Sequence, residues 1–331
     1  MDTLLHNERV IISSTHKDLH GDIIPLKELV KMAKSINNSM RKPAINIEHD
    51  PTLPPVGRGL KAEIIKGDDG EYYLSMQNEY YDKETIINYS EEEKYIKYSF
   101  TGKQFPFINK NIKNINGISL GVDYQNFESS EKVDEFFKEI KTDNELELNT
   151  GHTIRKSLLN DPILTIDAGV KLSLCYFSLK LLYKLGEKIV EKIGENIAMD
   201  LNKFYNFIKN SSYKIAKYSL PKNRPITYVL TFSNKITIEY IVITDNPDIF
   251  INSVLKDKIS ETEKKIDGLI KMFKPERIQF LYDDIKGWQF NYLITKKGES
   301  IGTLIAHEKR KRAIIKYFKG SKDYSLDGKS N

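Results

Sequence analysis

Two short segments, NIEHDPTLPPVGR at residues 46–58 and NGISLGVD at residues 116–123, carry the strongest pattern in this chain. The first places His49 at the end of an apolar run, and the second places Ser119 in an apolar stretch between Gly117 and Gly121. A serine hydroxyl is a weak nucleophile that needs a base within hydrogen-bond reach to take its proton. The pair therefore predicts a serine hydrolase, provided that the fold brings His49 to Ser119.

The composition is that of an ordinary globular protein. The 331 residues suffice for one large domain or two, and 40% of them are hydrophobic while 29% are charged. The formal net charge of +5 is too weak to indicate a nucleic-acid partner by itself. The single cysteine excludes an internal disulfide framework and suits a reducing cytoplasm. The N-terminus lacks a secretory pattern, and no charge-free apolar run of about 18 residues predicts a membrane span.

Apolar spacing predicts several elements in the first half of the chain. Pro25 stands at a permitted first-turn position of a helix whose apolar residues recur every three or four positions. The run that ends at His49 alternates as a strand does, and Ser119 lies on another strand-like segment. The predicted strands are 9–13, 44–49, 59–66, 71–77 and 115–124, and the predicted helices are 25–36, 82–96 and one within 126–149. The segment GDDG at 67–70 predicts a hairpin between the strands 59–66 and 71–77.

The composition changes after about residue 165. Apolar residues at helical steps predict a long amphipathic helix over 168–218, with candidate breaks near Gly194 and Asn210 and an end at Pro221. Cys175 falls in this stretch, where a buried, unreactive thiol is expected. Further along, β-branched runs around one helical run predict a β-β-α-β-β-β module over 226–306, followed by a basic tail. Its first two strands, 226–232 and 235–243, are predicted to form a hairpin around Ser233 and Asn234.

The predicted fold class is therefore α+β, in three parts. Residues 1–165 form an N-terminal domain, residues 166–220 form a long amphipathic helical connector, and residues 221–331 form a C-terminal α+β domain with a basic tail. Strand aromatics in the last part are expected to pack in its core, and a binding face is the alternative.

Four segments resemble, in the same order, motifs of the tailed-phage prohead (capsid maturation) proteases. The two segments quoted above resemble the histidine and serine motifs of that family. The segment STHKDLHGDII at 14–24 resembles its early signature, and RKSLLNDP at 155–162 resembles a strand in which a serine precedes a proline by five residues. The resemblance covers roughly residues 8–170, about half of the chain.

This resemblance implies an endopeptidase fold related to the herpesvirus assembly proteases, with a closed, mostly antiparallel, barrel-like β core. Ser119 would be the nucleophile, and His49 would take its proton and pass it to the leaving amine. The implied partner is a protein substrate, either a capsid or scaffold protein or the chain itself, and homo-oligomers are common in the family. No cofactor and no metal is implied.

The sequence departs from the family at the third catalytic position. The family usually has a carboxylate there to orient the histidine, and Arg155 stands at the matching place. A guanidinium cannot accept the imidazole N–H. His152 is the candidate replacement, because the herpesvirus relatives use a histidine, and Glu147 and Glu145 are the alternatives.

These residues also have ordinary structural interpretations. Ser119 beside glycines is typical of a tight strand position. Asp50, directly after His49, suits a turn in which its carboxylate caps the next segment. His307, beside Glu308, is expected at the surface.

Two charged clusters are expected to be solvated, and each has a ligand-binding alternative. Histidines and aspartates at 16, 18, 20 and 22 have a spacing that suits a metal, although a solvated loop is favoured because no further ligand cluster accompanies them. The basic run KRKR at 309–312 is expected to be a solvated helix start, with phosphate binding as its alternative.

Two functions remain open from the sequence. One is a serine endopeptidase that acts on a protein substrate or on itself. The other is a protease-like binding or assembly protein, of phage, prophage or defence origin, that kept the fold and lost the catalytic geometry. The modest net charge argues against a third function, a nucleic-acid contact through the basic tail.

Overall fold

The computed structural model describes residues 9–17, 23–108, 117–143, 148–153, 161–185, 197–222 and 224–326. The chain forms two compact units, one of residues 1–108 with 294–331 and one of residues 109–293. Helices and strands are mixed in both, as the α+β prediction requires. The domain boundaries predicted near residues 165 and 220 both fall inside the second unit, so neither of them coincides with a boundary between the two units.

The first unit contains a four-stranded antiparallel sheet with the order β1-β4-β3-β2. Its strands and the helix that follows β1 are β1 (Arg9–Ser14), α1 (Leu26–Asn38), β2 (Ala44–Ile45), β3 (Gly57–Lys66) and β4 (Tyr72–Tyr80). The predicted hairpin is confirmed, since β3 and β4 pair over their whole length and Gly70 supplies a positive φ in the turn. Helix α1 buries Leu29, Ala33 and Ile36 against Ala62 and Leu74.

The helix predicted over 82–96 is wrong, because the segment forms two strands, β5 (Lys83–Asn88) and β6 (Lys94–Ser99). Glutamates and lysines favour a helix here, but Ile86 and Ile87 are β-branched and side chains alternate along β5. β6 also pairs antiparallel with β14 (Ser300–Thr303), a partner about 200 residues away in sequence. The pairing with a distant strand overrides the local preference.

Helix α9 (Leu304–Leu326) is the last described element of the first unit. Two sequence-based expectations about this helix are wrong: His307 is fully buried instead of at the surface, and Arg310 is buried inside the basic run expected to be solvated. The Arg310 guanidinium donates from Nη1 to the Pro55 carbonyl at 2.7 Å and lies 3.9 Å from the centre of the Tyr98 ring. His307 Nε2 lies 3.0 Å from the Ile96 carbonyl oxygen.

The second unit is built on a mixed sheet whose described strands follow the order β13-β12-β11-β10-β9-β7-β8. The strands are β7 (Ile118–Asp123), β8 (Leu148–Thr153), β9 (Ile163–Ala168), β10 (Ile226–Ser233), β11 (Thr237–Thr244), β12 (Pro275–Asp283) and β13 (Gly287–Thr295). β7 is antiparallel to β9 and parallel to β8, while β9 is parallel to β10. The predicted hairpin of β10 and β11 is confirmed.

The second unit also contains seven described helices, several of which contact the strands of this sheet. They are α2 (Ser130–Thr142), α3 (Val170–Tyr176), α4 (Leu179–Leu185), α5 (Ile197–Tyr218), α6 (Pro247–Ser253), α7 (Lys256–Ser260) and α8 (Glu263–Phe273). The long helix predicted over 168–218 is thus divided: α3 ends before Phe177, whereas Asn210 lies within an unbroken α5. Gly194 lies outside the described residues. Cys175 is buried, as predicted.

Burial of His307 makes the stability of the first unit depend on pH. Burial, and then the nearby positive charge of Arg310, lower the pKa of His307 to about 3. The unfolded chain binds a proton near pH 6.5, so the folded state loses stability as the pH falls below that value. We expect the free energy of urea unfolding to drop by about 2 kcal/mol between pH 7.5 and pH 5 through this group.

The matched variants are His307→Gln and His16→Gln. Glutamine can still donate to the Ile96 carbonyl but does not titrate, so His307→Gln removes this part of the pH dependence. The His16 side chain is only half-buried, and its replacement leaves the contribution of His307 in place. Equal pH dependence of unfolding in the wild type and His307→Gln would contradict the prediction.

Candidate functional site

His49 lies on a turn of the first unit and not on the strand predicted for residues 44–49, because β2 ends at Ile45. The Asp50 amide donates to the Ile47 carbonyl at 3.1 Å, and both central residues, Glu48 and His49, have positive φ values of 51° and 54°. Two successive positive φ values are the pattern of a type I′ turn, which non-glycine residues adopt at a cost of about 1 kcal/mol or more each. The His49 side chain is exposed.

Asp50 stabilises the chain directly after this turn. Its Oδ1 accepts from the amide and from the hydroxyl of Thr52, both at 2.8 Å. This is the capping role that the sequence offers as the structural alternative for His49-Asp50-Pro51. The turn is therefore fixed on its C-terminal side by a side-chain cap.

The rest of the histidine segment is held by buried contacts. Ile47, Leu53 and Val56 form one apolar cluster with Ile314 of α9. The Pro55 carbonyl accepts from Arg310, which lies on the same helix. The backbone is thus strained at Glu48 and at the exposed His49, and the packing of the neighbouring apolar residues holds it in place.

Ser119 lies on β7 in the second unit and is partly exposed on a strand whose residues 118, 120 and 122 are buried. The antiparallel register places Ser119 opposite Asp167 of β9, and the parallel register places it opposite Asn149 of β8. Directly opposed residues of an antiparallel pair have Cβ atoms about 5 Å apart on the same face. The structure therefore brings a carboxyl group and an amide beside the predicted nucleophile.

A row of polar side chains continues from Ser119 across the sheet. We call Ser119, Asp167, Thr231, Glu239 and Gln279 the polar row, because each is the register partner of the next on β7, β9, β10, β11 and β12. Gln279 Nε2 donates to Glu239 Oε2 at 3.0 Å. Thr231 and Gln279 are buried, so the row runs through the interior of a face that elsewhere carries apolar residues.

Asp167 is the chemically unusual member of the polar row. Burial, and then the negative charge of Glu239, raise the pKa of Asp167 to about 6, although a hydrogen bond from Thr231 opposes the shift. A carboxyl group with a pKa near 6 changes protonation close to neutral pH and can exchange protons with a neighbouring hydroxyl. Its place beside Ser119 makes it a candidate acid–base group.

Two glycines lie next to Ser119 on the paired strands. Gly121 of β7 and Gly151 of β8 are register partners, one step along the face from Ser119 and Asn149. A Cβ on Gly151 would meet nothing within 4 Å, whereas a Cβ on Gly121 would lie 2.4 Å from Thr165 Oγ1. Open space beside the strand therefore lies at Gly151 of β8, whereas Thr165 fills the position at Gly121.

The remaining predicted site residues lie as follows. His152 belongs to β8, opposite Val122 and three positions from Asn149, the partner of Ser119. Val122 is not a member of the polar row, so the register pairs His152 with a different position of β7. Glu145, Glu147 and Arg155 lie outside the described residues. His49 belongs to the first unit, while Ser119 and His152 belong to the second.

Asp167 and Asn149 are the neighbours of Ser119 that the sequence analysis missed. Asp167 had a signal, because it is a single acid in the apolar, strand-like run ILTIDA at 163–168. An acid in such a run needs a polar neighbour or a function. The neighbour of Asp167, however, depends on the order of the strands in the sheet. The spacing of residues along the sequence does not show that order.

The described residues show neither a metal-binding cluster nor a helix that could span a membrane. Within the described ranges, no three His, Cys, Asp or Glu side chains are grouped so as to hold a metal ion. His16 instead pairs with Asp69, with Nε2 at 3.1 Å from the carboxylate. No helix in the part of the chain that the structure describes combines the length and apolar character needed to cross a bilayer.

Comparison of the chain with protein-family models, with curated proteins and with solved structures found no match. The assignment to the prohead proteases consequently remains a prediction from the four motifs.

The raised pKa of Asp167 predicts how a neutral variant changes stability. The folded state holds this proton up to about pH 6, whereas the unfolded chain releases it near pH 3.9, so the fold loses stability as the pH rises from about 3.9 to 6. We expect Asp167→Asn to increase the free energy of unfolding at pH 8 by about 2 kcal/mol more than at pH 4. Urea titrations at the two pH values measure the difference.

Asp134→Asn serves as the control, since this residue is exposed on α2. Its effect on stability is expected to be small and equal at both pH values. An Asp167→Asn variant that loses stability at pH 8, relative to the wild type, would show that the carboxylate is stabilised by its surroundings and would contradict the prediction.

Proposed function

We propose that this chain is a serine endopeptidase of the prohead-protease type, which acts on a protein substrate or on itself with Ser119 as the nucleophile. The observation that carries the proposal is the arrangement around Ser119 on the sheet of the second unit. A partly exposed serine faces Asp167, whose proton is exchangeable near neutral pH, and the side-chain-free positions Gly121 and Gly151 lie next to it.

The proposal keeps His49 as the base that takes the Ser119 proton. The motif alone assigns this role, and catalysis would require a His49 nitrogen within hydrogen-bond reach of the Ser119 hydroxyl. The strained turn is consistent with it, because backbone strain held in place by packing is common at functional sites. In this proposal, Asp167 is the neighbouring carboxyl group that can exchange a proton with the Ser119 hydroxyl.

The finer fold assignments belong to the same proposal. They are the closed, barrel-like protease core over 1–165 and the helical connector over 166–220. The proposed partners are a capsid or scaffold protein, or a second copy of this chain, and the proposed compartment is the cytoplasm.

A fluorophosphonate probe tests the proposal, because it reacts with activated serines and not with ordinary ones. We expect labelling of the wild type at Ser119, located by mass spectrometry of the labelled peptide, and no labelling of Ser119→Ala. His49→Asn is expected to slow labelling by about 100-fold or more, the usual contribution of a general base. Asparagine tolerates positive φ, so this variant preserves the turn.

Asp167→Asn separates the two candidate acid–base groups. We expect a smaller loss than in His49→Asn, together with the disappearance of any inflection near pH 6 from the pH profile of labelling. Loss of labelling in Asp167→Asn but not in His49→Asn would remove His49 from the mechanism and leave Ser119 in it. Absence of Ser119 labelling in the folded wild type would refute the peptidase proposal itself.

The second candidate function is a protease-like binding or assembly protein without catalysis. The hydrogen bond from Thr231 to Asp167 favours it, because a carboxylate that accepts from a buried hydroxyl is a poorer base for Ser119. For such a protein, neither probe labelling nor self-cleavage appears, and Ser119→Ala binds its partner as the wild type does.

A further inference from the structure

We propose that β8, the last described strand of its sheet, forms together with helix α2 a docking groove for an extended acidic segment of a partner protein. The groove is lined by one strand residue and one helix face: Thr150 of β8 and Asp134, Phe137, Lys138, Lys141 and Thr142 of α2. Its volume is about 400 Å³.

The strand side of the groove offers backbone hydrogen bonds. Among the described strands, the sheet order ends at β8, which pairs on one side with β7. In a parallel ladder the backbone groups of alternate residues point away from the partner strand, so roughly half of the six residues of β8 present N–H and C=O groups outward. An extended peptide can satisfy these groups by adding as a further strand.

The helix side of the groove is a fixed wall. Phe136 packs edge-on against Tyr218 of α5, with ring centres 5.9 Å apart, and the Tyr218 hydroxyl donates to Glu139 at 2.6 Å. Lys214 of α5 pairs with Asp143 at 2.7 Å. These contacts hold α2 from its inner side, so the outer residues at steps of three and four face the groove as a rigid set.

The charges of the groove select an acidic occupant. Lys138 and Lys141 are exposed, and among the described residues neither ammonium group forms an ion pair. Among the described residues of the lining, Asp134 is the one acid beside Lys138 and Lys141, so these side chains together carry a net positive charge. Phe137, which is mostly buried, adds an apolar contact. A segment that alternates acidic and β-branched residues matches both the lysines and the pairing geometry.

This groove is distinct from the position of bond cleavage in the proposed function. A strand added to the edge of β8 lies two strand spacings, about 10 Å, from β7 and hence from Ser119. A segment bound there would position the partner protein, and it would not contain the peptide bond that Ser119 attacks. The inference therefore does not depend on catalysis.

The test uses the full chain with Ser119→Ala, so that cleavage does not intervene. A fluorescein-labelled octapeptide of alternating valine and glutamate is titrated by fluorescence anisotropy, beside a matched peptide of valine and lysine. We expect the acidic peptide to bind about tenfold more tightly than the basic one, and Lys138→Glu with Lys141→Glu to weaken acidic-peptide binding by about tenfold. Asp134→Asn is expected to tighten it.

The matched control is Lys209→Glu with Lys256→Glu, which changes the net charge equally at exposed positions of α5 and α7 outside the groove. Binding in this variant is expected to change less than about twofold. An acidic peptide methylated on alternate backbone nitrogens tests strand addition, and we expect it to lose binding. Hydrogen exchange at residues 148–153 is expected to slow when the unmodified peptide binds.

Three results would overturn the inference: equal binding of the acidic and basic peptides, equal loss in the two lysine variants, or full binding of the methylated peptide. Self-association that is abolished by Lys138→Glu with Lys141→Glu, without any peptide binding, would assign the groove to a second copy of the chain instead. Labelling of Ser119 is unaffected by these outcomes, so failure here is distinguishable from failure of the proposed function.

Discussion

The buried guanidinium of Arg310 is the constraint on which the first unit depends. A charge taken out of water must be compensated, and here the Pro55 carbonyl and the face of the Tyr98 ring compensate it. The carbonyl belongs to the histidine segment, and the ring belongs to β6. The Arg310 side chain therefore stabilises two segments. One is the loop after His49, and the other is β6, whose local sequence favours a helix.

The second unit depends on register in the same way. Ser119, Asp167, Thr231, Glu239 and Gln279 are far apart in the sequence and become neighbours only because five strands pair in one alignment. A shift of one residue in any pair would move its side chains to the other face. The raised pKa of Asp167 is a consequence of this alignment, since burial and Glu239 both act through it. Register thus creates the chemistry around Ser119.

Local patterns predicted the hairpins and α1, because their turns, caps and apolar spacing lie within a few residues of one another. The strand pair β5–β6 was missed, since its partner β14 lies about 200 residues away. His307 and Arg310 were assigned to the surface because polar residues usually lie there, and only the contacts with Ile96 and Pro55 account for their burial. Asp167 was overlooked for the related reason that its neighbours come from other strands.

By itself, the sequence determined the mixed α+β class, most strand and helix positions, the buried Cys175 and the choice of Ser119 and His49 as residues of interest. These follow from spacing and residue type, which act over one or two turns or a single hairpin. Only the tertiary structure decided the left-handed turn at His49, the polar row beside Ser119, the burial of His307 and Arg310 on α9, and the place of β8 as the last described strand of its sheet. Each of these results from pairing between distant segments, whose energies the local pattern does not contain.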